Sequence, residues 1–113
     1  MEREDQVRLR HMLDAAQDAM SFACGRRRQD LDTDRQLLLA VVKCFEIIGE
    51  AASQLSEEAR GEADDLPWRE IVDMRHRLVH GYYDINHDVV WSTLKEDLPT
   101  LVQTLRALLK TEP

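Results

Sequence analysis

The sequence predicts an all-α domain, a bundle of four to five helices, on three observations. Apolar residues recur at helical spacing over long stretches, no stretch alternates convincingly with period two, and only 4 Gly and 3 Pro interrupt 113 residues. With 43% apolar and 33% charged residues, the chain has the balance of a helix-rich globular domain and can bury one modest core. Neither a repeat nor a linker divides it, so residues 1–113 are read as a single domain.

The first helix is expected from Arg3 to Cys24. Val7, Leu9, Leu13, Ala16, Met20 and Ala23 form its apolar stripe, and Gly25 is its stop. Three consecutive arginines follow, Arg26, Arg27 and Arg28. They read either as solvated charge at a helix C-terminus or as a contact for RNA or a protein partner. The longest helix is expected in "LDTDRQLLLAVVKCFEIIGEAASQLSEEAR", capped by Asp32 or Thr33 with Gln36 as a capping-box partner. Leu37, Val41, Cys44, Ile48, Ala51 and Leu55 form one seam on it, and Leu38, Phe45 and Ala52 a second. A stripe this wide suggests two packing partners, one within the chain and one in a second copy. Lys43, Glu46 and Glu50 occupy the polar face; a solvated face is the default, and Glu46 and Glu50 could touch a cleft.

After the turn "GEADDLP", Pro67 is placed as the first residue of a third helix, "PWREIVDMRHRLVH", which Gly81 ends. A fourth helix is expected from about Asn86, with Asn86 or Asp88 near its cap, through "VVWSTLKEDL". Pro99 then breaks the chain or opens a short fifth helix, "TLVQTLRALLK". No sheet is expected. Trp68 and Trp91 read as packing residues, and His11 and His87 as surface residues.

A net charge of -7 argues against diffuse nucleic-acid binding, which rests on Lys and Arg contacts to phosphate. Any such chemistry needs a local cationic patch, built by pairing two chains or masked by a partner. Cys24 and Cys44 stand in apolar helical surroundings, so both are expected to be buried hydrophobes with no disulfide and no structural zinc. The start "MEREDQVRLRHM" lacks the apolar core of a signal peptide, and no apolar run approaches the roughly 20 residues that span a bilayer. A cytoplasmic protein without membrane contact is expected.

Cations gather in "MRHRLVHGYYD", Met74 to Asp84. One reading is a helix C-terminus carrying positive charge that complements its dipole. The other is a site that holds and cleaves a phosphodiester. Arg75 and His80 stand five residues apart, about 140° apart on a regular helix, so they share no face by default. They converge only if the helix ends near His80 or a second chain contributes its own pair. A histidine can then exchange protons with a ribose 2′-hydroxyl, and a guanidinium can clamp two phosphate oxygens. Arg75 and His80 are therefore the candidate catalytic pair, with His76 and Arg77 as candidate substrate-binding residues. His76 and His80 also have the i, i+4 spacing of metal ligands, with Asp73 or Asp84 available. No third ligand is fixed, so neither metal nor cofactor is expected.

"MRHRLVHGYYDINHDVVW" resembles the signature of the HEPN superfamily, specifically HepT-like toxins, whose pattern is R-x-x-x-x-H-x-Y. Arg75, His80 and Tyr82 fall on its fixed positions, which leaves Tyr83 as a packing residue. "EIIGEAASQLSEEAR", "LPWREIVDMR" and "VVWSTLKEDLPTL" are similar to flanking segments of the family, so the resemblance covers roughly Asp32 to Leu105. It implies a HEPN-type bundle that dimerises so that two motifs face one cleft. It also implies a metal-independent endoribonuclease acting as the toxin of a type VII-like toxin–antitoxin pair. The implied partners are RNA, a second copy, and a minimal nucleotidyltransferase (MNT) antitoxin that adenylylates the motif tyrosine, Tyr82. His76 departs from the Asn or Asp that often follows the family's arginine. The alternative reading is a non-catalytic helical module that binds a nucleotide or docks the nucleotidyltransferase.

Overall fold

The structure, a computed structural model, describes residues 1–80 and 84–110, with His80 described by its backbone alone. Two long helices make its centre: α1 (Arg3–Phe22) lies along α3 (Arg35–Ser53), the start of α1 meeting the end of α3. Both expected seams of α3 are buried in full, from Leu37 and Leu38 to Ala52 and Leu55. On α1 the expected stripe is partly displaced. Leu9, Leu13, Ala16 and Ala23 are buried, but Val7 is 44% exposed, and Met12, Ala15 and Ala19 join the core instead. The helix turns a face centred between Leu9 and Met12 inward, a choice that small alanines make tolerant of rotation.

Phe22 ends α1, two residues before the expected Cys24, and Gly25 adopts φ +74°, the left-handed conformation that glycine takes without penalty. Cys24 is therefore exposed, against expectation, whereas Cys44 is buried on α3. Burial raises the Cys44 thiol pKa, with the Asp18 charge adding to it. The expected long second helix is three pieces. A single turn, α2 (Asp30–Thr33), stops at extended Asp34, whose carboxylate caps α3 by accepting from the Leu37 N–H at 3.0 Å. The cap thus falls later than Asp32 or Thr33. At the other end α3 stops at Ser53, and Ser56 caps α4 (Glu57–Gly61), accepting from the Ala59 N–H at 3.1 Å. The Ser56 hydroxyl and backbone N–H both donate to Asp5 of α1, at 2.7 and 3.0 Å. Burial pushes the Asp5 carboxyl up, but these two bonds and the Arg8 charge outweigh it, and its pKa is lowered.

The third helix is also divided. Pro67 precedes α5 (Trp68–Val72), Asp73 interrupts, and α6 (Met74–Leu78) follows. Its end comes at Leu78, not at Gly81: Val79 is extended (φ -122°, ψ 119°) and opens a small antiparallel ladder. Strands β1 (Val79–His80) and β2 (Asp84–Ile85) pair Val79 with Ile85 and His80 with Asp84. Two residues per strand leave the class all-α, though this pairing was not foreseen. The Leu78 carbonyl, orphaned at the helix end, accepts from the Asn86 N–H at 2.7 Å. Asn86 in turn caps α7 (His87–Ser92), accepting from the Val89 N–H at 3.1 Å, as its sequence position suggested.

From His87 the chain stays helical through a π-turn (Thr93–Asp97) into α8 (Leu98–Lys110), which packs along α1. Pro99 therefore neither breaks the rod nor starts a separate helix. In a regular helix its ring would strike the Lys95 carbonyl; the wider turn, with the Leu98 N–H bonded to the Thr93 carbonyl, relieves that clash. Among the described residues no helix is long and apolar enough to cross a membrane.

Candidate active site

The motif segment is held against α3 by a close backbone approach at a glycine. A Cβ on Gly49 would lie 3.1 Å from the Ile71 carbonyl oxygen and 3.3 Å from that of Val72, so α5 rests directly on the α3 backbone. Trp68 fixes the other end of α5, its indole N–H shared between the carbonyls of Ala63 (2.9 Å) and Arg60 (3.1 Å), a packing role as expected. Ile71, Met74 and Leu78 are buried, which leaves Arg75, His76 and Arg77 as consecutive exposed residues on one turn of α6. The break at Asp73 (φ -90°, ψ 13°) and the extended Val79 mean that the regular-helix angle between Arg75 and His80 does not apply.

Consecutive residues on a helix diverge, and the three cations do. Arg75 lines a cleft of about 790 Å³ between α1 and α3, together with His11, Lys43, Glu46 and Glu50. Arg77 lines a separate depression of about 490 Å³, beside Glu70, Glu96 and Asp97, where α5 and α6 face the C-terminal rod. His76 enters neither: its Nδ1 lies 2.5 Å from Asp73 Oδ1. The backbone of His80 sits in β1, two residues beyond α6. Tyr82 and Tyr83 lie outside the described residues.

His11 was read as plain surface, and Glu46 and Glu50 as a solvated face that could touch a cleft; all three line the Arg75 cleft. Their i, i+4 relations to Val7 and to one another carry the signal, but only the pairing of α1 with α3 shows that those faces adjoin. The arginines after α1 have a different fate. Arg26 Nη2 meets Asp34 at 2.8 Å and its Nε meets Asp30 at 3.4 Å. Arg28 bridges Asp32 at 2.9 Å and Asp88 at 2.7 Å, raising its own pKa. His87, expected at the surface, is half-buried with Nδ1 2.6 Å from Asp32. Hydrogen bonds from His87 and from Arg28 lower the pKa of Asp32. Arg27 remains exposed. Among the described residues, no group of three or more His, Cys, Asp or Glu could hold a metal ion.

Residues 12–108 match the family model described as Ribonuclease HepT-like, a span that includes the whole motif segment. The protein named "Putative RNase TTE0752" from Caldanaerobacter subterraneus subsp. tengcongensis is 33% identical over 104 residues, 92% of this chain and 93% of that protein. "Probable ribonuclease HepT" from Thermococcus cleftensis is 37% identical over 73 residues, 65% of this chain and 66% of that one. No solved structure matches the chain. The sequence signature, the helical architecture and the extent of the match agree, and the chain belongs to the HepT-like ribonuclease family.

Proposed function

We propose that the protein is a metal-independent endoribonuclease, the toxin of a HEPN/MNT pair, working in the cytoplasm. The observation that carries this is the family match across the motif segment, together with an exposed Arg75 that has no ion pair among the described residues. In the reaction a ribose 2′-oxygen attacks the adjacent phosphorus, and the bond from phosphorus to the 5′-oxygen breaks. His80 takes the 2′-hydroxyl proton, and Arg75 stabilises the charge on the phosphoryl oxygens. A 2′,3′-cyclic phosphate is left, which water opens to a 3′-phosphate. His76 and Arg77, the next two residues of α6, supply further contacts to the strand.

The working unit is a homodimer. Val7 (44% exposed) and Ile47 (39% exposed) place apolar surface on the Arg75 cleft, which a second copy would cover. Two cationic segments brought together this way give an acidic chain the local patch that phosphate requires. A nucleotidyltransferase antitoxin neutralises the toxin by adenylylating Tyr82, adding negative charge and bulk beside the phosphate site. Purified protein should cleave RNA in EDTA and lose activity on dilution below the dimer's Kd. His80→Ala should abolish cleavage, and persistent cleavage by that variant would overturn the proposal. Co-expression with the nucleotidyltransferase should add AMP to the intact mass, and Tyr82→Phe should prevent it.

A further inference from the structure

We propose that His76 is the general acid of the cleavage step and that Asp73 is the residue that positions it. This rests on the ribonuclease reading and assigns the proton that reading leaves unaccounted for: as the phosphorus–oxygen bond breaks, its electron pair goes to the 5′-oxygen, which must be protonated to leave.

Three observations point to this pair. An aspartate just before a helix ordinarily accepts from a backbone N–H of the first turn, yet the Asp73 side chain makes no such cap. Its carboxylate meets His76 Nδ1 at 2.5 Å and so fixes the ring's orientation, while its carbonyl already takes the His76 N–H, at 3.0 Å, that a cap would use. The pair is also exposed, 76% for the His76 side chain and 54% for Asp73. In that setting an ion pair contributes little to stability, so the fold gives little reason for the pair.

An ionised carboxylate only accepts, so the proton it binds sits on Nδ1. Nε2 is then the exchanging nitrogen, and among the described residues no protein group bonds to it. Protonated at Nε2, His76 donates to the 5′-oxygen, and the imidazole that remains keeps its tautomer through Asp73. His80 gains one proton and His76 loses one, so the step balances; exchange with water restores both. His76 lies outside the cleft that Arg75 lines, so a strand with its phosphate at Arg75 meets Nε2 by crossing the exposed turn of α6.

The test is an RNA substrate whose scissile 5′-oxygen is replaced by sulfur, because a thiolate leaves without a proton. His76→Ala and His76→Gln should cleave ordinary RNA about 10²–10⁴-fold more slowly than the native protein. Both should cleave the sulfur-linked substrate at close to the native rate. Asp73→Asn should lower kcat on ordinary RNA with little change in KM, and the sulfur substrate should relieve that loss too. His80→Ala is the control: a missing base slows both substrates alike. In ¹⁵N spectra, His76 should be the Nδ1–H tautomer in the native protein and lose that preference in Asp73→Asn. Equal losses on both substrates for the His76 variants, or a tautomer that ignores Asp73→Asn, would overturn the assignment and leave the ribonuclease reading standing. Failure of the native protein to cut either substrate would overturn that reading itself.

Discussion

Two groups of arginines, Arg26–Arg28 and Arg75–Arg77, look alike as strings of charge and end in opposite states. Arg26 and Arg28 each bridge two aspartates, and through Asp32, Asp88 and His87 they tie the α1–α3 connection to the start of α7. Arg75 and Arg77 have no ion pair among the described residues and open onto two different depressions. Arg26 and Arg28 are spent inside the fold, whereas Arg75 remains available for an anion from outside. In a chain of net charge -7, the location of unneutralised cations says more about ligands than their number does.

The largest test of that contrast is Arg75→Ala. Loss of a guanidinium that stabilises transition-state charge should lower cleavage by about 10²–10³-fold with the thermal midpoint unchanged. Arg75→Lys should recover only part of it, since an ammonium cannot clamp two oxygens in one plane. An active Arg75→Ala protein would erase the functional half of the comparison.

Gly49→Ala comes next, as a structural route to the same site. The added methyl meets main-chain oxygens of α5, which cannot rotate away, and that outweighs the better helix propensity of alanine. A net loss of about 1–2 kcal/mol is expected from urea unfolding, with activity reduced because α5 carries α6 and Arg75. Stability equal to or above native would show that α5 shifts freely.

Asp5→Asn sharpens the comparison from the anionic side, because Asp5 is another charge committed to the fold. Its folded pKa lies below the unfolded value of about 3.9, so its contribution is complete above that value and disappears as pH falls through the folded pKa. The variant should be less stable than native by about 1 kcal/mol at neutral pH, and the gap should close on acidification below about pH 4. A gap that persists at low pH would assign the loss to packing and not to charge.

The smallest effect is expected for Arg28→Ala. Its pairs are solvent-exposed, so the thermal midpoint should fall slightly, less so at high salt, while cleavage stays near native. A large loss of cleavage without unfolding would show that the two arginine groups are not functionally distinct.

Much of this was legible in the residues. Period-3.6 spacing marked both seams of α3, the lack of period-two alternation and the few Gly and Pro marked the class, and an Asn before an apolar run marked the α7 cap. R-x-x-x-x-H-x-Y with its flanking segments marked the family. What escaped was decided partly by atoms distant in the chain and partly by local backbone geometry that spacing does not record. Asp73 reads as an ordinary helix residue in sequence, yet it divides α5 from α6 and takes His76. Gly49 reads as a mild helix weakness and is the contact on which α5 sits. Pro99 reads as a break, and a π-turn one residue before it carries the helix through.

The sequence by itself determined the helical class, the inward face of α3 and the family, because these depend on propensity and periodicity within a few turns. Tertiary structure alone decided which charges are free. Arg28 finds Asp88 sixty residues away and Asp32 finds His87 fifty-five away, so whether a cation is neutralised depends on folding distant segments together. Arg75 reaches the α1–α3 cleft for the same reason: its neighbours there come from helices that begin more than thirty residues earlier, and no local pattern records that they adjoin.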